Sequence, residues 1–331
     1  MQFVTFIANS GRLESSRLGI LQGPRVIDVN AAYNLLLIRE GLRERSSVIA
    51  DAVLPPDLLA YLEGGEIARR ALVETLEFVA EDVVNTSEFE RVTWEIGAVS
   101  LLAPIVRPRS IREFGRFPGH LTAARKTALP ESYYAVPFYW KGNPNSTIGP
   151  EAEIPWPSYA SELDYELEIA AVIGRPGIDI APEAAMSHVA GFTIFNDVSA
   201  RDYQRIERGY QNYWGKGKDF CNIFGPTLTT CDEVNYSKFA VTVRVNGETW
   251  TVTDTSDMSS TWAELIAHCS KDEWLFPGDI FTSGTVTGCC GTEHLGVEPP
   301  AQIMNPGDIV ELSVEGIGTL RNTFGPRPES A

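Results

Sequence analysis

The chain has 331 residues, of which 44% are hydrophobic and 21% are charged, and its formal charge at pH 7 is -17. This length allows a substantial buried core and predicts two domains, and the composition is typical of a globular enzyme. The negative charge argues against nucleic acids and anionic membranes as partners, because both need a basic protein face, but it does not exclude small anionic substrates.

Two further features predict the compartment. No apolar run approaches the roughly 20 residues of a membrane span, and the first residues lack the order of a secretory signal peptide. The cysteines are odd in number and none has CxxC spacing, which predicts packing residues rather than disulfides or zinc ligands: Cys221, Cys231, Cys269, Cys289 and Cys290. We therefore expect a cytoplasmic protein, or one in another reducing compartment.

Residues 1–103 have the pattern of a smaller leading α+β domain. Alternating and apolar runs predict short antiparallel strands at Gln2–Ala8 and within Arg17–Val29. Helical spacing of apolar residues follows in three segments: Asn30–Arg39, Pro56–Glu63 and Gly65–Ala80. No catalytic constellation occurs here, so we predict a scaffold that ends in a linker at Ala103–Arg109.

Residues 104–331 predict a mostly β catalytic domain. A hairpin turn at Asn246-Gly247 and an amphipathic helix at Thr261–Cys269 stand among segments with strand patterns. The predicted strands are Glu166–Ile173, Gly191–Asn196, Phe239–Val245, Glu248–Thr253, Ile280–Ser283 and Ile309–Val314. The fold class is therefore α+β, mostly β.

Acidic and apolar residues alternate strictly in Leu163–Ile169, so a strand would place Asp164, Glu166 and Glu168 on one face. Carboxylates two residues apart lie roughly 7 Å from each other and repel by about 2 kcal/mol at an effective dielectric near 20. A facing row of basic side chains, or a divalent cation with oxygen ligands, would offset this cost. Asp197, which follows the next predicted strand, supplies a third carboxylate and favours the cation.

Motifs of several common enzyme classes are absent from the sequence. Gly215–Lys218 lacks the spacing and the hydroxyl residue of a phosphate-binding loop, and no GxGxxG motif follows a strand. Neither GxSxG nor HExxH occurs. Nucleotide and nicotinamide chemistry therefore has little support.

Six short motifs occur in an order and spacing that resemble the fumarylacetoacetate hydrolase family. They are Leu163–Ile169, Asn196–Asp202, Gly217-Lys218, Ser283–Thr285, Pro306–Asp308 and Gly316–Asn322. The resemblance implies a mixed β-roll catalytic domain, here preceded by the smaller α+β domain. It also implies a divalent metal, usually Mg²⁺ and sometimes Ca²⁺ or Mn²⁺, and a homodimer.

The resemblance further assigns the metal ligands. Glu166, Glu168 and Asp197 match the family's ligand positions, and oxygen ligands favour Mg²⁺, Ca²⁺ or Mn²⁺ over zinc. Glu113 stands seven residues before His120, where the true hydrolases of the family have an aspartate ligand, and is a candidate fourth ligand.

By the same match, His120 is the catalytic base and Glu293 orients it, because a carboxylate beside an imidazole fixes the tautomer and raises the basicity. Lys218 and Gln204 correspond to residues that polarise the substrate oxygen. Thr285 would contact a substrate carboxylate.

Other substrate positions align loosely. Tyr139 and Lys141 lie where the family has substrate contacts. Arg125 and Lys126 are the nearest candidates for a substrate-binding basic residue, and Arg201 and Asp202 are predicted to tie a loop to its neighbours.

We therefore predict a divalent-metal-dependent hydrolase that cleaves a carbon–carbon bond in a β-diketo acid, such as an acylpyruvate. His120 would activate water, and Lys218 would stabilise the oxyanion. An oxaloacetate-type decarboxylase and a keto–enol or double-bond isomerase remain alternatives on the same site. A catalytically silent binding protein on this scaffold is the alternative from another class.

Overall fold

The computed structural model describes residues 1–9, 15–83, 88–209, 214–296 and 303–328, with the side chains of residues 90 and 125 outside the description. The helices are α1 (Val29–Arg39), α2 (Ser46–Val53), α3 (Leu58–Glu63), α4 (Gly65–Phe78), α5 (Phe89–Val92), α6 (Pro118–Arg125), α7 (Glu131–Ala135), α8 (Pro182–Ala185), α9 (Arg201–Arg208), α10 (Trp262–Cys269) and α11 (Gly291–Leu295). Shorter turns are a π-helical one at Val79–Val83 and 3₁₀ turns at Ile96–Ala98, Pro144–Ser146 and Met186–His188. No helix of the described part is long and apolar enough to cross a membrane.

The strands are distributed along the whole described part of the chain. They are β1 (Gln2–Ala8), β2 (Arg17–Gln22), β3 (Arg25–Asp28), β4 (Thr93–Glu95), β5 (Val99–Leu102), β6 (Ser110–Glu113), β7 (Trp140–Gly142), β8 (Thr147–Ile148), β9 (Glu153–Ile154), β10 (Leu163–Asp164), β11 (Leu167–Ile173), β12 (Val189–Asn196), β13 (Ser199–Ala200), β14 (Asn222–Thr229), β15 (Ala240–Val245), β16 (Glu248–Asp254), β17 (Asp279–Thr282), β18 (Ile309–Val314) and β19 (Gly318–Phe324). The mixed α+β class predicted from the sequence is confirmed.

Two larger sheets organise the described residues. Twelve strands form one sheet in the order β4-β3-β2-β1-β14-β12-β11-β17-β6-β7, with β5 paired to β1 and β8 paired to β14. Five strands form the other in the order β16-β15-β18-β19-β9. Most neighbours run antiparallel, and β6 runs parallel to β17. The carboxylate-bearing strands β11 and β12 lie in the interior of the larger sheet.

Strand β1 joins the leading segment to the rest of the chain. Phe3 pairs with Ile20 of β2 on one side and with Leu228 of β14 on the other. The segment predicted as a linker is packed, since Ala103 and Ile105 are buried in a cluster that also contains Phe195. One continuous sheet contains strands from both sides of the predicted boundary between residues 103 and 104. The division into two domains therefore stays a prediction.

Local sequence signals account for several elements. The turn residues Asn246 and Gly247 both have positive φ, 52° and 81°, as a two-residue hairpin between β15 and β16 requires. Thr261 caps α10 and forms a capping box with Glu264. The sequence did not predict α2, which is short.

The acidic stretch Leu163–Ile169 was predicted as one continuous strand, but the structure divides it between two strands. Leu163 and Asp164 pair with β13, whereas β11 begins at Leu167 and pairs with β12. The chain changes partner at Tyr165 and Glu166, where the Glu166 amide donates to Asn196 Oδ1 at 3.0 Å. Alternation alone does not reveal such a change, because the side-chain pattern is the same on both sides of it.

We expect Phe195→Ala to lower the free energy of unfolding by about 3 to 5 kcal/mol, since truncating a buried aromatic leaves a cavity. The fully buried ring of Phe195 stacks on Phe224, with centroids 4.5 Å apart, and links β12 to β14. Val252→Ala is the control, because Val252 is 73% exposed and should change stability by less than about 0.5 kcal/mol. Equal losses in chemical denaturation would contradict this account of the core.

Candidate metal and acid–base site

Three carboxylates meet where β11 begins and β12 ends. The register of these antiparallel strands pairs Leu167 with Asn196, so Glu166 and Glu168 flank the position beside Asp197. All three side chains are buried, and one oxygen from each lies within 4.8 Å of the others. The predicted metal ligands Glu166, Glu168 and Asp197 are thus brought together.

Hydrogen bonds from the end of β17 hold the Glu168 carboxylate. Thr282 Oγ1 donates to Oε2 at 2.6 Å, the Gly284 amide donates to the same oxygen at 3.1 Å, and Thr285 Oγ1 lies 3.5 Å from Oε1. Gly284 has φ +82°, and a Cβ there would lie 2.6 Å from the Gly115 Cα. Only glycine therefore fits. Burial and the nearby charge of Glu113 raise the pKa of Glu168 well above its usual value.

Lys218 supplies a cation to this cluster. Its Nζ donates to Glu166 Oε2 and to Asp197 Oδ2, and the side chain is buried. Burial alone would lower the pKa of Lys218, but the charges of Asp197 and Glu166 outweigh it and raise the pKa. In this structure, Lys218 is a counter-ion of the carboxylates as well as a group facing the site.

Arg201 is a second buried cation, and the sequence assigned it only a loop-tying role. It does tie its neighbours, since Nη2 donates to Asp164 Oδ2 at 2.6 Å and Nη1 donates to Gln204 Oε1 at 3.0 Å. Nη1 also lies 2.8 Å from Glu166 Oε1. Burial raises the pKa of Glu166, but the charges of Lys218 and Arg201 outweigh it, so that pKa is lowered. The sequence signal for this contact was the position of Arg201, four residues after the predicted ligand Asp197.

The donor set fits a hard divalent cation. Asp197 Oδ1 is buried and has no hydrogen-bond partner among the described residues, although the other oxygen accepts from Lys218. Burial raises the pKa of Asp197 to about 6. An unpartnered carboxylate oxygen beside two further carboxylates is the arrangement that Mg²⁺, Ca²⁺ or Mn²⁺ prefers.

Glu113 lies beside the three carboxylates, at the end of β6, where its backbone pairs with Thr282. Its Oε1 accepts from the Gly115 amide at 2.7 Å. Burial and the charge of Asp197 raise the pKa of Glu113 to about 8. Glu113 therefore contributes to the field of the site, although it lies outside the group of three with closely spaced oxygens.

An acid–base pair stands at the edge of the cluster. His120 of α6 places Nδ1 2.9 Å from Glu293 Oε2 of α11, and its Nε2 lies 3.8 Å from Glu166 Oε1. Burial raises the pKa of Glu293, but the hydrogen bond and charge of His120 outweigh it and lower the pKa. Because an ionised carboxylate only accepts, Nδ1 carries a proton, and in the neutral ring the lone pair is then on Nε2.

Two cavities open onto these groups. One of about 370 Å³ is lined by Glu113, His120, Glu166, Lys218, Gln204 and Thr285 among others. The other, of about 530 Å³, is lined by His120 and Glu293 and has a basic wall formed by Lys126, Arg201, Arg205 and Arg208. Two of these cations are already ion-paired, Arg201 with Asp164 and Glu166, and Arg205 with Glu162.

Tyr139 and Lys141 are the predicted substrate-binding residues that do not line either described cavity. Tyr139 packs on Phe114, and Lys141 is exposed. Phe138 and Trp140 line the smaller cavity instead, because alternate residues of an extended segment face opposite sides. The side chain of Arg125 lies outside the described part.

We expect Mg²⁺ or Mn²⁺ to raise the melting temperature of the purified protein and EDTA to reverse this. A ligand at about 100 times its dissociation constant adds about 2.7 kcal/mol to stability. Glu168→Gln should lose the gain, because it removes one carboxylate from the cluster. The exposed Glu248→Gln should keep it. An undiminished gain in Glu168→Gln, measured by differential scanning fluorimetry, would contradict the assignment.

Comparisons with known proteins found a family model, curated relatives and solved structures that match this chain. A family model described as fumarylacetoacetate (FAA) hydrolase C-terminal matches residues 111–325. A mitochondrial oxaloacetate tautomerase of Homo sapiens is 34% identical over 279 residues, which cover 82% of this chain and 81% of that protein. Two solved structures cover 99% of this chain over their full length. They are a fumarylacetoacetate hydrolase from Exiguobacterium antarcticum, with a TM-score of 0.70 and 27% identity, and a protein titled a probable 2-hydroxyhepta-2,4-diene-1,7-dioate isomerase from Mycobacterium abscessus, with a TM-score of 0.65 and 25% identity.

Proposed function

This chain belongs to the fumarylacetoacetate hydrolase family, and we propose that it is a metal-dependent tautomerase that moves a proton between carbon and oxygen of a small 2-oxo acid of the oxaloacetate type. The observation that carries the proposal is the His120–Glu293 pair, with Nε2 of His120 3.8 Å from Glu166 Oε1. A single base at the edge of a carboxylate cluster suffices for proton transfer. The name of the human relative, an oxaloacetate tautomerase, supports the same choice.

Glu166, Glu168 and Asp197 would hold the cation, with Glu113 as the candidate fourth ligand. We propose Mg²⁺, with Mn²⁺ or Ca²⁺ as alternatives, because every ligand is an oxygen. When bound, a divalent cation supplies Lewis-acid stabilisation of negative charge on a substrate oxygen.

The proton path runs through one imidazole. His120 Nε2 takes the proton from the carbon next to the 2-oxo group, and Glu293 holds the opposite nitrogen and stabilises the imidazolium. The same Nε2 then returns a proton to the oxygen, which gives the enol. The reverse order converts the enol to the ketone, so no water or other co-reactant is consumed.

The cationic and polar groups bind the substrate anion. Arg201 and Gln204 line both cavities, and Lys218 and Thr285 line the smaller one. Lys218 and Gln204 would polarise the 2-oxo group, while Arg201 and Thr285 would contact a carboxylate. The buried charges make this binding stronger than it would be at a surface.

Carbon–carbon bond hydrolysis of a β-diketo acid is the second candidate. The same dyad is compatible with it, because His120 Nε2 can also act as a general base toward water. Decarboxylation of oxaloacetate needs no base to start it and gains less support from the dyad. A silent binding protein would have no use for the pair.

The assembly and the compartment also remain proposals. We propose a homodimer that binds small molecules, and sedimentation velocity would give the mass. The five cysteines are all free, which supports a reducing compartment such as the cytosol, although the human relative carries the name of a mitochondrial protein.

We expect the protein with Mg²⁺ to accelerate the enol-to-keto conversion of oxaloacetate above the rate in buffer, followed by the loss of enol absorbance. His120→Gln should lower kcat by about 10² to 10⁴-fold, the usual contribution of a general base. His268→Gln is the matched control, because His268 belongs to α10 and is not among the described residues that line the two cavities.

The outcomes separate the candidates. Pyruvate and a carboxylic acid from acylpyruvates, without faster oxaloacetate tautomerisation, would replace the tautomerase by the hydrolase. Carbon dioxide from oxaloacetate would favour the decarboxylase. Full activity in His120→Gln would remove the base from the mechanism, and metal binding without turnover of any of these acids would favour the silent protein.

A further inference from the structure

A second group of metal-ligating side chains lies beside the carboxylate cluster and contains a cysteine. Cys290 is fully buried, and its Sγ donates to Glu293 Oε2 at 3.2 Å and lies 4.0 Å from His120 Nδ1. With the 2.9 Å contact between His120 and Glu293, this closes a triangle of nitrogen, sulfur and oxygen. The sequence predicted packing cysteines, and the buried Cys290 also has its thiol among polar groups.

The triangle has nearly the size of a tetrahedral zinc site. Usual bond lengths to nitrogen, oxygen and sulfur place such ligand atoms about 3.4 to 3.6 Å apart. The three observed separations, 2.9, 3.2 and 4.0 Å, each differ from that by about 0.5 Å or less. Side-chain adjustments of this size need no change of fold.

We propose that His120, Cys290 and Glu293 form a second metal site, which binds zinc or another thiophilic divalent cation and thereby switches off the proton-transferring base. The larger cavity gives access, since His120, Glu293 and Thr292 line it, and its space leaves the fourth position to water. A sulfur ligand favours zinc over magnesium, whereas the all-oxygen cluster favours the harder ion. The two sites therefore select different metals.

The switch follows from the proton inventory. When zinc binds, the Cys290 thiol releases its proton to solvent and a sulfur–zinc bond forms. Nδ1 of His120 gives its lone pair to zinc, so the single proton of the neutral ring resides on Nε2. An imidazole protonated at Nε2 cannot accept a proton from a substrate there. The inhibitory half of the inference rests on the proposed function, and the binding half does not.

Cobalt tests the binding directly. In excess Mg²⁺, one equivalent of Co²⁺ should give the sulfur-to-cobalt charge-transfer band of a thiolate ligand in the wild-type protein, and Zn²⁺ should remove it. Cys290→Ser should lose the band and weaken Zn²⁺ binding by about 100-fold or more. Loss of a direct ligand should cost at least as much affinity as loss of a residue that only supports a ligand. Cys289→Ser is the matched control, because the neighbouring thiol belongs to the hydrophobic core.

Two further variants show whether loss of the band could result from misfolding rather than from loss of the ligand. His120→Gln leaves the thiol intact but should weaken Zn²⁺ binding, and Glu168→Gln should keep the band although it impairs the oxygen site. A band that survives in Cys290→Ser, or that is absent from the wild type, would overturn the second site.

Activity then tests the switch. Zn²⁺ in excess Mg²⁺ should inhibit the wild type and Cys289→Ser much more than Cys290→Ser, each compared with its own zinc-free rate. A cobalt band without selective inhibition would overturn the switch and leave the binding site. Absence of any turnover would contradict the proposed function alone, because the spectrum decides the binding.

Discussion

The buried negative charge between β11 and β12 is the constraint on which the rest of the site depends. One oxygen from each of Glu166, Glu168 and Asp197 lies within 4.8 Å of the others, and Glu113 stands beside them. At an effective dielectric near 20, each like-charged pair at about 4 Å costs about 4 kcal/mol. Lys218 and Arg201 offset part of this, although Arg201 also pairs with the buried Asp164, so the cluster keeps an excess of acidic groups that a divalent cation would offset.

The sheet supplies the precision that this electrostatic balance needs. Strands β11, β12 and β17 are adjacent, so their registers fix which carboxylates, hydroxyls and amides face one another. The base is carried by short helices, α6 and α11, outside the sheet. The carboxylates are thus fixed by strand register, whereas the His120–Glu293 pair sits on short helices. This division would let one cavity wall serve both the proposed proton transfer and the proposed zinc binding.

Short-range sequence patterns predicted the secondary-structure elements better than they predicted which side chains contact one another. The hairpin at Asn246-Gly247 and the helix capped by Thr261 are encoded within a few residues, and the structure contains both. The family motifs named the carboxylates and the dyad, which the fold brings together. Long-range packing decides the rest: which face of the segment around Trp140 meets the cavity, and that Arg201 reaches Glu166. The proximity of Cys290 to His120, 170 residues away, has no local signal at all.

The pairing of β1 with β14 makes the two halves of the chain inseparable in a practical sense. A protein trimmed to the family-matched residues would leave β14 with an unprotected edge and would uncover Phe224 and Leu228, which are buried in the cluster shared with the leading segment. Open edges recruit strands from other molecules, which leads to aggregation. The leading segment therefore covers a strand edge that would otherwise be open to self-association.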